Sequence, residues 1–135
     1  MTLETAPRPL ATGGGETVLF VDDEPAIRHV AKHALEAAGY RVLVATNGAE
    51  AVEIVAADPA AIAVVVTDMM MPVLGGEGLI RELRRRAPHV RIIAASGISS
   101  NEALAREAGL PAGCFLSKPF TAGTLLQALG DVLAR

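Results

Sequence analysis

Short apolar runs recur along the chain at regular intervals, and each one leads into a polar residue or a turn. They are rich in Val, Ile, Leu and Ala, and successive positions within each run are apolar. Strands of this composition are buried on both faces, as happens when helices cover both sides of a parallel sheet. We therefore predict five strands, at residues 18–21, 41–45, 61–67, 90–95 and 113–117.

The segments between these runs carry apolar residues at helical spacing. In the first of them Ile27, Val30 and Ala34 share one face, Pro25 stands in the first turn, and Gly39 closes the helix. Five helices are predicted, at about residues 25–38, 48–57, 76–86, 100–108 and 122–133, with Asn47 and Thr121 as caps. Alternating strands and helices with right-handed crossovers give a doubly wound α/β domain.

Residues 1–16 lack this periodicity. They are rich in Pro, Gly and Thr and end in a triple glycine, so we predict a flexible tether before a domain at residues 17–135. The glycines are not a phosphate loop, because Glu16 and Thr17 follow where that motif requires Lys and Ser or Thr.

Composition limits the number of domains, the kind of partner and the cellular location that the chain can have. A chain of 135 residues suits one domain, and a net charge of −3 with a pI of about 5.6 argues against direct binding of nucleic acid. A single cysteine, Cys114, excludes an intrachain disulfide. No apolar stretch resembles a signal peptide or a membrane span, so we expect a cytoplasmic location without membrane contact.

Polar residues collect where the predicted strands end. Asp22 and Asp23 follow the first strand, Asp68 the third, Ser96 the fourth and Lys118 the fifth. In such a sheet these ends form the ligand-binding edge. Three carboxylates without Cys or His favour Mg2+, the lysine supplies a point charge for an anion, and a carboxylate can attack phosphorus.

Four motifs at this edge resemble the receiver domains of two-component response regulators. They lie between residues 18 and 120, and all four occur in the family's order. The motifs are Val21-Asp22-Asp23-Glu24, Thr67-Asp68-Met69-Met70-Met71-Pro72, Ala95-Ser96-Gly97 and Leu116-Ser117-Lys118-Pro119-Phe120. The expected fold is therefore a flavodoxin-like sheet of five parallel strands in the order 2-1-3-4-5, with five helices.

The resemblance implies a role for each polar residue around the metal. Asp68 is the phosphorylated residue and also a metal ligand. Asp23 binds Mg2+ directly, Asp22 helps through water, and the backbone carbonyl of Met70 is a further ligand.

The resemblance also implies how the phosphoryl group is recognised. Ser96 donates a hydrogen bond to it and Lys118 pairs with it. The bond between Lys118 and Pro119 is cis in the family, and Phe115 takes the place of a switching aromatic residue.

The implied function is signalling rather than enzymatic catalysis. A histidine kinase or a phosphotransfer domain would supply the phosphoryl group from a phosphohistidine, and a shape change in the receiver would be the signal. The chain would be a stand-alone receiver or the C-terminal receiver of a hybrid sensor histidine kinase.

Three positions depart from the commonest family pattern. Ser96 stands where Thr is frequent, and Phe115 stands where Tyr is frequent. Met70 and Ile98, two residues beyond Asp68 and Ser96, are apolar and cannot hydrogen-bond an attacking water. We therefore expect a phosphorylated form with a long lifetime.

Two alternatives stay open from the sequence. One is a phosphatase or phosphotransferase resembling the haloacid-dehalogenase group, although Asp22-Asp23 lacks the Asp-x-Asp spacing of those enzymes. The other is a degenerate receiver that acts only as an interaction module.

The last helix carries more apolar residues than one face needs. Leu125, Ala128, Leu129 and Val132 form a core-facing stripe at helical spacing. Ala122, Leu126 and Leu133 widen the apolar surface to a second side, so we expect association through this helix, with a second receiver or with a regulatory partner.

Overall fold

A computed structural model describes residues 13–134, which form alternating strands and helices around one sheet. The strands are β1 (Thr17–Val21), β2 (Arg41–Ala45), β3 (Val64–Asp68), β4 (Arg91–Ser96) and β5 (Phe115–Ser117). The helices are α1 (Pro25–Ala37), α2 (Gly48–Ala57), α3 (Gly76–Arg86), α4 (Asn101–Ala108) and α5 (Ala122–Leu133). A short 3-10 turn, Pro59–Ala61, precedes β3.

The five strands form one parallel sheet in the order β2-β1-β3-β4-β5. In the register Val18 pairs with Val42 on one side and with Val64 on the other. The three central strands are almost wholly buried, as their continuous apolar composition predicts. The predicted fold class and strand order are confirmed.

Helices cover both faces of the sheet. α1 contacts α5 on one face, whereas α3 contacts both α2 and α4 on the other. The two predicted caps are confirmed, because Asn47 Oδ1 accepts a hydrogen bond from Glu50 N at 2.8 Å and Thr121 Oγ1 accepts one from Thr124 N at 3.1 Å. None of the helices within residues 13–134 is long and apolar enough to cross a membrane.

Two boundaries differ from the prediction by more than one residue. The third strand begins at Val64 rather than at residue 61, because Pro59 starts a turn in which Ala61 N donates to Asp58 O at 3.1 Å. The fifth strand is shorter than predicted and begins at Phe115, after Gly113 has turned the chain with a φ of 84°.

Part of the predicted tether lies within the described residues. Gly13 N and Gly15 N donate to Ala38 O and Gly39 O, at 2.6 and 3.0 Å. This stretch is therefore attached to the turn after α1. The rest of the tether prediction, residues 1–12, lies outside the described residues.

The last helix buries most of its predicted stripe. Leu125, Leu129 and Val132 are buried, while Leu126 and Leu133 are half-buried and pack against the core. The large apolar side chains that are exposed in residues 13–134 lie elsewhere, at Val30, Leu43, Met70, Val73, Ile98 and Leu104.

Candidate functional site

Three aspartates meet at the carboxyl edge of the sheet. Asp22 directly follows β1 and is buried, Asp23 next to it is exposed, and Asp68 is the last residue of β3. β1 and β3 are paired neighbours, so their ends bring the carboxylates together. One oxygen of each lies within 4.8 Å of the others. The predicted juxtaposition of Asp22, Asp23 and Asp68 is therefore present.

Lys118 closes this cluster from the end of β5. Its Nζ lies 3.2 Å from Asp22 Oδ2 and 3.3 Å from Asp68 Oδ2. The peptide bond between Lys118 and Pro119 is cis, as the family resemblance implies. Lys118 N also donates to Ser96 O at 2.9 Å, which ties the lysine backbone to the end of β4.

The charges in this cluster do not balance. Burial raises the pKa of Asp68 above its usual value, Lys118 opposes that effect, and Asp22 adds to it. Burial disfavours the charged form of Lys118, but Asp22 and Asp68 outweigh it and raise the pKa of the amine. Three carboxylates facing one ammonium leave an excess of negative charge, which a divalent cation would neutralise.

The donor set fits Mg2+. Within residues 13–134 this group of possible ligands consists of three aspartates, without Cys or His, and hard divalent cations prefer oxygen ligands. Both oxygens of Asp22 already have protein partners, since Oδ1 accepts from Glu24 N at 3.0 Å and Oδ2 faces Lys118. That arrangement favours the indirect role predicted for Asp22 and leaves the exposed Asp23 as the accessible ligand.

Met70 lies beside the central carboxylate. Its backbone N donates to Asp68 Oδ1 at 3.4 Å, and its side chain is exposed. The role of its carbonyl as a metal ligand stays a prediction. Ile98, in the loop after β4, is also exposed.

The sequence matches the model of the response regulator receiver domain over residues 18–130. It is 38% identical over 125 residues to the sensor kinase CckA of Brucella abortus (strain 2308), which covers 90% of this chain and 13% of CckA. The chain belongs to the response regulator receiver family. It spans about half the length of several other curated relatives.

Solved structures agree with this assignment. The receiver domain protein from Clostridium thermocellum superimposes with a TM-score of 0.82 at 34% identity, covering 89% of this chain and 95% of that one. The receiver domain of the sensor histidine kinase PA1611 from Pseudomonas aeruginosa PAO1 gives a TM-score of 0.80 at 27% identity, covering 90% and 99%. That receiver was solved with a magnesium ion coordinated in its active site cleft.

The family assignment removes one of the two alternatives that the sequence left open. The chain is a receiver and not a phosphatase of the haloacid-dehalogenase type. The residues that a degenerate receiver lacks are present and brought together here, since Asp22, Asp68 and Lys118 are in contact.

The two predicted switch residues of this receiver occupy different environments. Ser96 ends β4 and is buried, and its Oγ accepts hydrogen bonds from Ile98 N at 3.0 Å and from Asn101 Nδ2 at 2.9 Å. Phe115 begins β5, is half-buried and packs against the core. Their roles in switching stay predictions.

Two residues near the receiver's site escaped the sequence analysis. Asn101, the first residue of α4, is buried and hydrogen-bonded to Ser96. The polar residues of the first helical turn gave no sign in the sequence that one of them is buried. Gly76, the first residue of α3, packs against the end of β3, where an added Cβ would lie 2.7 Å from Met69 Cα and 2.8 Å from Asp68 O. A glycine preceded by another glycine looks like an ordinary turn in the sequence.

Proposed function

We propose that this receiver accepts a phosphoryl group on Asp68, with Mg2+ bound, and signals through the resulting shape change. The observation that carries the proposal is the cluster of Asp22, Asp23 and Asp68 with Lys118 Nζ between two of the carboxylates. The phosphodonor would be a phosphohistidine on a histidine kinase or a phosphotransfer domain.

The covalent step is a transfer between two protein side chains. An Asp68 carboxylate oxygen attacks phosphorus, the O–P bond forms as the N–P bond to histidine breaks, and the histidine leaves as neutral imidazole after taking up a proton. Asp22, Asp23, Asp68 and the Met70 carbonyl would hold the metal, with Asp22 acting through water. When bound, Mg2+ supplies positive charge to the transferring phosphoryl oxygens.

Lys118 and Ser96 would hold the product. The ammonium of Lys118 already faces Asp68 at 3.3 Å, so it is placed to pair with a phosphoryl oxygen. Formation of the acyl phosphate replaces a carboxylate by a phosphoryl group of about −2 charge, which attracts the Ser96 hydroxyl as a donor. We propose that this movement, with Phe115 following, is the signal.

The domain would contribute a Mg2+ site and the positioning of the reacting groups to its own phosphorylation. We propose a phosphoacceptor signalling domain at residues 17–135, following a tether that ends before Gly13, and not an enzyme that turns over a separate substrate. Similarity to one segment of CckA supports a receiver that belongs to a hybrid sensor kinase, and a stand-alone cytoplasmic receiver is the alternative.

Two apolar surfaces could hold a partner. A groove of about 640 Å³ between α1 and α5 reaches Lys118 and Pro119, and Val30 on its wall is 65% exposed. The outer side of α5, with the half-buried Leu126 and Leu133, is the predicted interface for a second receiver. Sedimentation with and without beryllofluoride tests the second surface, since a monomer in both states removes the homodimer.

The proposed acceptor is tested by mass. Incubation with acetyl phosphate and Mg2+ should add one phosphoryl group to the intact chain, and Asp68→Asn should add none while keeping its circular dichroism spectrum, because an amide cannot act as the nucleophile. A full equivalent on Asp68→Asn would refute the assignment. No addition to the wild type would favour a degenerate receiver.

A further inference from the structure

The end of β4 is connected to α4 by a buried pair of side chains. Ser96 is 2% exposed and Asn101 is 7% exposed, and Asn101 Nδ2 donates to Ser96 Oγ at 2.9 Å. Ile98 N donates to the same oxygen at 3.0 Å. Among the buried residues of 13–134 only four are polar or charged, so this is an unusual use of core space.

The two donors determine what the hydroxyl can do. A serine oxygen accepts at most two hydrogen bonds and donates one. Both acceptor positions of Ser96 Oγ are taken, by one donor in the loop after β4 and one on α4. The position of the hydroxyl is therefore set from the α4 side of the sheet edge.

We propose that Asn101 is a positioning residue that holds Ser96 in its resting place and transfers any movement of Ser96 to α4. The proposal rests on the function above, in which Ser96 is drawn toward a phosphoryl group on Asp68. Moving the hydroxyl breaks its bond with the Asn101 amide, so the resting bond opposes phosphorylation.

Burial is what makes the break consequential. An amide that loses its acceptor in a buried position costs more than one at the surface, because water does not replace the lost bond. Asn101 must therefore turn toward a new acceptor. That rearrangement displaces the first turn of α4, where Asn101 N donates to Ile98 O at 3.0 Å.

The surroundings permit that displacement. Residues 97–100 between Ser96 and Asn101 are all exposed, and the capping residue Ser100 makes no side-chain cap to α4. A cleft of about 360 Å³ between α3 and α4 adjoins Asn101 and is also lined by Leu104. Asn101 is thus the buried attachment of an otherwise exposed connection, with free volume beside it.

The test uses the full chain with Mg2+ and beryllofluoride, a phosphoryl mimic, titrated by NMR. Asn101→Leu keeps the number and branching of the side-chain heavy atoms and removes the donor. It should bind beryllofluoride about fivefold more tightly than the wild type, the factor expected for about 1 kcal/mol of lost resting hydrogen bond. Its Mg2+ affinity without beryllofluoride should not change.

The same substitution in a Ser96→Ala variant tests whether Asn101 acts through Ser96 or by a general change in the structure. In Ser96→Ala the hydroxyl is gone, so adding Asn101→Leu should have no further effect on beryllofluoride binding. In the wild type, the side-chain amide resonances of Asn101 should shift on binding. Asn101→Ala replaces Asn101→Leu if the leucine variant fails to fold.

Three results would overturn the inference: equal or weaker binding by the Asn101 variant, the same gain in the Ser96→Ala background, or unshifted Asn101 amide resonances. Failure of the wild type to bind beryllofluoride with Mg2+ would instead contradict the proposed function, and with it this inference.

Discussion

Two neighbouring parts of the sheet edge are held in different ways: the acidic centre, formed by Asp22, Asp23, Asp68 and Lys118, and the β4–α4 segment, residues 97–100. The residues of the acidic centre lie at strand ends or next to them. Lys118 Nζ is 3.2 Å from Asp22 Oδ2 and 3.3 Å from Asp68 Oδ2. The β4–α4 segment is exposed throughout. The charges are thus held by contacts between strand ends, whereas the side chains of the adjoining segment are not enclosed by packing.

The largest expected effect tests the acidic centre through the Mg2+ that we propose it binds. We expect weak Mg2+ binding, micromolar to millimolar or about −4 to −8 kcal/mol, because an open site keeps several waters. Asp23→Ala should remove detectable binding by calorimetry without unfolding the chain, since Asp23 is exposed. Glu24→Ala, also exposed and next in the chain, is the control and should bind normally. An unchanged titration of Asp23→Ala would refute the ligand set.

A pair of glycine substitutions compares the packing beside Asp68 with that of the β4–α4 segment. Gly76→Ala places a Cβ 2.7 Å from Met69 Cα and should lower the free energy of unfolding by about 1–3 kcal/mol, despite the better helix propensity of Ala. Gly97→Ala, whose Cβ would meet nothing nearer than 4.0 Å, should change it by less than about 0.5 kcal/mol. Urea denaturation measures both, and equal effects would remove the contrast.

Substitution of Met70, next to Asp68, should have a smaller effect, on the rate at which the phosphoryl group is lost. Met70→Asn places a hydrogen-bonding group where an apolar side chain is 57% exposed, so it should speed loss of the phosphoryl group about fivefold to tenfold. The decay of phosphorylated protein, followed by mass, measures it. Leu43→Asn, an exposed leucine on β2, is the control. If phosphorylated Met70→Asn loses its phosphoryl group as slowly as the wild type, the prediction that Met70 shields the phosphorus is wrong.

The smallest expected effect concerns a strained residue in the loop between β3 and α3. Val73 has a φ of 70° and is 82% exposed, and a β-branched residue in that conformation is strained. Val73→Asn should raise the free energy of unfolding by about 1 kcal/mol, because Asn tolerates the left-handed region. Val30→Asn, an exposed valine in α1, should give no such gain. Urea midpoints decide, and a loss of stability at Val73 would contradict the argument.

The sequence predicted the parts of the molecule that follow from strand ends. Apolar runs show where each strand stops, and parallel pairing then brings Asp22, Asp68 and Lys118 together without knowledge of any side-chain contact. The five strands and five helices within residues 13–134 followed from periodicity in the same way.

Close contacts between residues of different segments could not be predicted from the sequence. The bond between Asn101 and Ser96 depends on how the first turn of α4 sits over β4, and the close approach of Gly76 to Met69 depends on how α3 packs against β3. Neither leaves a periodic signal. The second apolar side of α5 was visible as a pattern, but the half-burial of Leu126 and Leu133 depends on the packing around them.

The central claim is that Asp68 is the acceptor, and it can be located chemically. Phosphoramidate carries the same N–P bond type as phosphohistidine, and borohydride reduces an aspartyl phosphate to homoserine. After treatment with phosphoramidate and Mg2+, then borohydride, peptide mapping of the wild type should find homoserine at position 68 and unchanged aspartate at 22 and 23. Homoserine at Asp22 or Asp23, or at neither of these nor Asp68, would contradict the account.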